Sequence, residues 1–202
     1  MIKLGLTGSI GMGKSTTAAM FRELGAAVHD SDAAVAALYA PGGAAVASVL
    51  SEFPDAPGAD GGVDRGALSR IIARDPAALI RLEAIVHPLV REARDNFVEE
   101  CREAGKALVV FDVPLLFETG GDQGVDKIAV VSAPAEVQTA RVMARPGMTA
   151  DKFETILARQ TSDTEKRAQA DFVINTGAGL EAARQQVEAI VAQLAGAAER
   201  RH

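Results

Sequence analysis

The sequence predicts an α/β fold: a five-stranded parallel sheet covered on both faces by helices, in a three-layer sandwich. Three observations carry this. Five short runs rich in β-branched residues, at Ile2–Thr7, Ala27–Asp30, Ala107–Phe111, Lys127–Val131 and Phe172–Ile174, are near-continuously apolar, as in strands buried on both faces. Segments with helical spacing separate them, and strands alternating with helices build a parallel sheet. At 202 residues the chain is long enough for one well-buried domain with appendages and too short for two large independent ones.

Taken in order, the first strand runs into Gly8-Ser9-Ile10-Gly11-Met12-Gly13-Lys14-Ser15, which fits the phosphate-loop pattern G-x-x-x-x-G-K-[ST]. Glycines let the backbone wrap closely round a polyphosphate with its N–H groups pointing inward. A helix starting near Lys14 aims its N-terminal dipole and unpaired amides at the same phosphates. Lys14 adds a point charge, the Ser15 hydroxyl is placed to ligate Mg²⁺, and Thr16 extends the polar start. This predicts nucleoside triphosphate binding; the plainer reading is a Gly-rich strand-to-helix turn without a ligand. The second strand ends in His29-Asp30-Ser31-Asp32 and the third runs up to Asp112. Ligands of such sheets bind beyond the carboxyl ends of the strands, so these positions and the phosphate loop are the candidate polar sites.

The interval between the second and third strands is much longer than one crossover helix requires, and substrate specificity is expected there. It holds a Pro/Gly/Asp-rich loop from Pro54 to Gly62, a helical pattern at Arg65–Arg74 and a longer one from Pro76 to about Glu103, with Asp75 as its N-cap. Pro88 inside the longer pattern predicts a kink or break at His87. A second insertion, from Arg141 through Pro146-Gly147 to Lys166, lies where a closing lid is expected. The tail from Leu180 to Leu194 has helical spacing, and Glu199–His202 is expected to fray.

Composition is ordinary for a globular chain, 48% hydrophobic and 24% charged, with no tract apolar enough to span a bilayer. Met1–Thr7 leads straight into the phosphate loop, leaving no room for a signal sequence, and the one cysteine, Cys101, suits a reducing compartment. A cytoplasmic protein is expected. A net charge of −6 argues against a nucleic-acid partner. Between Arg141 and Arg167, however, six basic residues face four acidic ones, a local excess that would meet an anionic substrate. Oligomeric state leaves no mark in the sequence.

A phosphate loop alone does not separate kinases, switches and motors. The Asn-Lys-x-Asp motif that reads guanine is missing, and no Asp-x-x-Gly follows a core strand. Other segments discriminate further. Leu24-Gly25 leads into His29-Asp30-Ser31-Asp32, and Pro41-Gly42, Asp60-Gly61, Arg65 and Leu68 follow. After them come Leu82-Glu83-Ala84-Ile85-Val86-His87-Pro88, Asp112-Val113-Pro114-Leu115-Leu116-Phe117-Glu118, Gln138 with Arg141 and Arg145, Gln160, and Ala170-Asp171. In order and spacing these resemble the motifs of the dephospho-coenzyme A kinase family, from Ile2 to about Val191. The stretches Glu83–Pro88 and Asp112–Glu118 are the specific ones. The chain departs from the family at Ala36, where a basic residue is frequent, at Ala73, where an aromatic is common, and at Asn175-Thr176-Gly177, one residue short of Asp-Asn-x-Gly.

The resemblance implies a P-loop, nucleoside-kinase-like single domain over 1–202, with a helical substrate-binding region at about 33–104 and a lid at about 141–167. It implies transfer of the γ-phosphoryl of ATP to the ribose 3′-hydroxyl of dephospho-coenzyme A, giving coenzyme A and ADP, with ATP and Mg²⁺ as cofactors and no nucleic-acid or membrane partner. Phosphoryl transfer needs positioning and charge neutralisation more than covalent help. Lys14 is the candidate for the β- and γ-phosphates and Ser15 for the metal, with Asp112 or Asp32 acting through water. Asp32 is the candidate for orienting the acceptor hydroxyl and accepting its proton; the alternative is a helix N-cap. Arg141 and Arg145, four apart, are expected on one helix face, reaching a phosphate or stacking on adenine, against the alternative of a solvated face. Gln160 is a further candidate in that region. The nucleotide side is completed by Gly8, Gly11, Met12, Gly13, Thr16 and Asn175. On the acceptor side stand Thr7, Arg65, His87, Pro114, Leu115, Leu116 and Glu118. For His87 the alternative is packing at a helix kink, and for Arg65 a surface salt bridge. Two other functions stay open on the residues alone: a kinase for a different small hydroxyl acceptor, and a nucleotide-dependent binding protein with negligible turnover.

Overall fold

The computed structural model describes residues 1–199 and divides the chain into two compact units, residues 30–100 and the remainder. The larger unit holds a five-stranded parallel sheet, β1 (Ile2–Thr7), β2 (Ala27–Asp30), β3 (Leu108–Asp112), β4 (Lys127–Ser132) and β5 (Phe172–Asn175), in the order β2-β3-β1-β4-β5. The predicted strands are all present. β3, β4 and β5 each end one residue later than expected, because the ladders pair Leu6 with Asp112 and Ser132 with Asn175, and β3 also starts one residue later.

Side chains on a strand alternate between faces. On one face Ile2, Leu4 and Leu6 join Leu108, Val110, Ala129, Val131 and Ile174 in a core closed by α1 (Lys14–Glu23) and α9 (Leu180–Glu199), through Ala18, Phe21, Ala183, Val187 and Leu194. The other face buries Thr7, Val109, Phe111 and Val130. His29, on edge strand β2, is buried edge-on against Phe111. Between β4 and β5 lie α6 (Ala135–Met143), α7 (Ala150–Leu157) and α8 (Asp163–Ala168), the last with a complete capping box between Ser162 and Glu165. α9 ends at Glu199; the rest of the tail expected to fray lies outside the described residues.

The smaller unit is helical: α2 (Ser31–Tyr39), α3 (Val46–Glu52), α4 (Arg65–Arg74) and most of α5 (Ala77–Glu103). Leu38, Tyr39, Val49, Phe53, Val63, Leu68, Leu82 and Val86 form its core. Asp64 caps α4, and the Asp75 carboxylate accepts from the Ala77 N–H at the start of α5, as expected. Of the kink or break predicted at His87, the break is corrected: α5 runs unbroken through Pro88. Pro88 withdraws the N–H that would bond the Ala84 carbonyl. Ala84, His87 and Pro88 are all exposed, so that carbonyl lies on the solvent side of the helix, while Leu82 and Val86 keep the buried face anchored. Among the described residues no helix is long and apolar enough to cross a membrane.

Candidate active site

Strand order turns at β1, whose neighbours are β3 and β4, and the phosphate loop leaves β1 at that point. Gly13 takes the left-handed conformation, φ 93°, as N-cap of α1, which turns the chain so that the first helical amides open onto the loop. Gly11 packs so tightly that a Cβ there would stand 2.5 Å from Val142 Cγ2. Ile10 is held at both its peptide groups: its N–H donates to Gln160 Oε1 at 3.1 Å, and its carbonyl accepts from Gln138 Nε2 at 2.8 Å. Met12 is buried, and its sulfur accepts from the Ala133 N–H at 3.1 Å. Lys14 forms an ion pair with Asp112 at the end of β3, while Ser15 and Thr16 stand exposed in the first turn of α1.

Beside the loop lies a cavity of about 230 Å³, lined by Gly11, Gly13, Thr16, Arg141, Arg145 and Thr176 among others. Both predicted arginines reach it, Arg141 from α6 as expected and Arg145 by a different route. α6 ends at Met143, so Arg145 sits past the helix rather than one turn along its face. Arg141 is anchored: Nη1 donates to Thr176 Oγ1 and Nη2 to the Thr176 carbonyl, both at 2.9 Å. Thr176 Oγ1 in turn donates to the Met12 carbonyl at 2.7 Å. One buried hydroxyl thus ties the phosphate loop to the arginine. Asn175 does not line this cavity. Its Oδ1 accepts from the Gly177 N–H at 2.8 Å, and it borders a separate pocket of about 180 Å³ with Pro134 and Arg167. Thr176 was missed by sequence reasoning, and its one signal was its place immediately after β5.

The turn after β3 is fastened from two sides. Thr7 is fully buried and its hydroxyl donates to the Pro114 carbonyl at 3.2 Å. Leu116 is buried and Leu115 is exposed. Glu118 Oε1 accepts from the Thr161 N–H at 2.7 Å and lies 3.0 Å from the fully buried Lys166 ammonium. Burial by itself raises the Glu118 pKa, but backbone N–H donors and Lys166 outweigh it and hold the carboxyl below its ordinary value.

Within the helical unit, the N-cap of α2 is Asp30, whose carboxylate accepts from the Ala33 N–H at 2.9 Å. The capping alternative therefore belongs to Asp30. Asp32 lies in the first turn, exposed and without a hydrogen-bonding partner among the described residues. Arg65 opens α4, exposed and outside every ion pair among the described residues, and its charge opposes the rise that burial gives the Tyr39 pKa. His87 is exposed on α5, which removes the packed-histidine alternative. Asp32, Arg65 and His87 belong to one unit and the phosphate loop to the other.

No group of three or more His, Cys, Asp or Glu residues able to hold a metal occurs among the described residues. The donors at the loop suit a different arrangement: the exposed Ser15 hydroxyl, the carboxylate that Lys14 contacts, and phosphate oxygens and water for the rest, as Mg²⁺ prefers.

A family model described as dephospho-CoA kinase matches residues 2–182. The dephospho-CoA kinase of Mesorhizobium japonicum is 58% identical over 196 residues, covering 97% of this chain and 98% of that one. The dephospho-CoA kinase of Ruegeria pomeroyi is 56% identical, covering 95% of each. A crystal structure from Thermus thermophilus, 36% identical, superimposes with a TM-score of 0.77 over 96% of this chain and 97% of that one.

Proposed function

The chain belongs to the dephospho-CoA kinase family and is an ATP-dependent phosphotransferase, and from that premise we propose how its residues divide the work of moving the γ-phosphoryl of ATP to the 3′-hydroxyl of dephospho-coenzyme A. The observation that carries the assignment is the phosphate loop opening beside the cavity that Arg141 and Arg145 share with Gly11 and Gly13. The triphosphate lies along the loop and the N-terminus of α1, and the nucleoside extends into the cavity, where the anchored Arg141 guanidinium offers a flat cationic face. In this reading Lys14 leaves Asp112 for the β- and γ-phosphates and carries the charge that develops on the transferring oxygens. Ser15, with Asp112 acting through water, would hold Mg²⁺, which when bound would supply neutralisation of part of the same charge. Arg145, one residue past the C-cap of α6 with its N–H on the Val142 carbonyl at 3.0 Å, closes on the phosphates as part of the lid at 141–167.

Asp32 orients the acceptor hydroxyl. A carboxylate is a weak base toward an alcohol, so its contribution lies in alignment and in accepting the proton late in the transfer. Arg65 and His87, exposed in the helical unit, are the groups available to the acceptor's phosphates; in the larger unit, Pro114, Leu115, Leu116 and Glu118 are the candidates on the acceptor side. The test is direct: purified protein is mixed with Mg²⁺-ATP and dephospho-coenzyme A, and ADP release is followed together with the mass of the acceptor. An acceptor heavier by one phosphate, formed only with protein and Mg²⁺, is expected. ATP binding without phosphorylated acceptor would overturn the reading.

A further inference from the structure

Lys166 has no exposed surface, and a lysine is rarely found so deep without a task. Its ammonium faces Glu118 Oε1, the same oxygen that accepts from the Thr161 N–H. Burying an ammonium and a carboxylate together costs desolvation that their attraction repays only in good geometry, so such pairs are poor sources of stability and are better at holding one arrangement against others. What this pair holds is visible in the next residue. Gln160, adjacent to Thr161, extends Oε1 to the Ile10 N–H, 150 positions away in sequence, in the middle of the phosphate loop. A second, partly buried polar pair lies in the same segment, with the Ser132 hydroxyl donating to Asp163 Oδ2 at 2.7 Å at the end of β4. The capping box of Ser162 and Glu165 stiffens the backbone between Thr161 and Lys166, so a displacement at Lys166 is carried to Gln160 rather than absorbed.

We infer that Lys166 is a positioning residue: through Glu118 and the Thr161 backbone it sets Gln160 on the Ile10 N–H, and so keeps the phosphate loop in its nucleotide-receiving shape. The inference deepens the proposed function, because the loop it steadies is the one assigned to ATP. Lys166 touches no reacting atom in this scheme. Its effect on the nucleotide passes through Gln160, whereas its effect on stability arises where it stands, from the carboxylate it neutralises. The two effects are therefore separable.

The experiment is a double-mutant cycle of Lys166→Met and Gln160→Ala, read in the dissociation constant for ATP and in the melting temperature. Each single substitution is expected to weaken ATP about fivefold, the loss typical of one hydrogen bond of intermediate strength. The double variant should be no weaker than the weaker single, because both changes interrupt one chain, while the lowering of melting temperature by Lys166→Met persists in the Gln160→Ala background. Losses of ATP affinity that multiply, or a Lys166→Met protein that melts early yet binds ATP as the parent does, would overturn the inference and leave Lys166 a structural residue only. Should Lys166→Met not fold, Glu118→Gln takes its place in the cycle with the same expectations. ATP affinity is read without any acceptor, so a parent protein that fails to phosphorylate dephospho-coenzyme A sinks the proposed function without deciding this cycle.

Discussion

Lys14 and Asp112, 98 positions apart, form an ion pair at the end of the sheet, with side chains 15% and 9% exposed. The loop's one lysine is paired with the carboxylate that closes β3, and in the proposed function the phosphates compete for it. Lys14→Met should therefore cost turnover on the order of a hundredfold or more, as removal of a charge-stabilising group does. It should also lower the melting temperature, because it strands a largely buried carboxylate. Asp112→Asn should lower turnover with a smaller change in melting temperature. Steady-state rates and thermal unfolding of the two variants, compared side by side, check both halves.

Asp32 is exposed in the first turn of α2 and the cap is Asp30, so removing its charge leaves the helix start intact. Asp32→Asn is expected to lose on the order of a hundredfold or more in turnover with ATP affinity little changed. Comparable turnover in the variant would defeat the assignment of Asp32 to the acceptor hydroxyl.

Thr176 anchors Arg141 through both its hydroxyl and its carbonyl. Thr176→Val keeps the shape and the carbonyl bond but loses the hydroxyl, so ATP affinity should fall about fivefold, while Thr176→Ser stays close to the parent. Isothermal titration with ATP separates the two; equal affinities would mean that the hydroxyl does not position the arginine. On the role proposed for Arg145, Arg145→Ala should lower the rate at saturating substrates, and an unchanged rate would remove it from the phosphates.

The Glu118 carboxyl is held below its ordinary value of 4.5 in the folded chain. A group whose pKa is lowered by folding adds stability above its ordinary value and loses it as pH falls through the folded one. Melting temperature should therefore decline below about pH 4.5 in part through this carboxyl, and Glu118→Gln should flatten that decline while lowering stability near neutral pH. A Glu118→Gln protein with the parent's pH profile would assign the acid sensitivity to other carboxyls.

Much of this was legible in the chain itself wherever the signal is local. β1, β2 and α4 have the bounds their apolar spacing predicts, and the phosphate loop stands between strand and helix as its glycines require. Where a local rule met a tertiary circumstance, it gave way. Pro88 did not break α5, because its missing bond faces water; α6 stopped at Met143, which carried Arg145 off the helix and still into the cavity. Thr176 stood at an unspecified position of its motif, and Asn175 beside it, the more familiar candidate, bonds to Gly177.

The sequence by itself determined the sheet and the phosphate loop, because each rests on periodicity or on a motif within a few consecutive residues, and it disclosed the reaction class through a family resemblance carried by several such motifs in order. Only the tertiary structure decided which residues meet: Lys14 with Asp112, Arg141 with Thr176, Glu118 with Lys166, Gln160 with Ile10. These pairs lie up to 150 positions apart, and no propensity of either member specifies the other. They are set by the register of parallel strands, which brings the ends of β1, β3, β4 and β5 to one edge of the sheet, and by the need of each buried polar group to find a partner there.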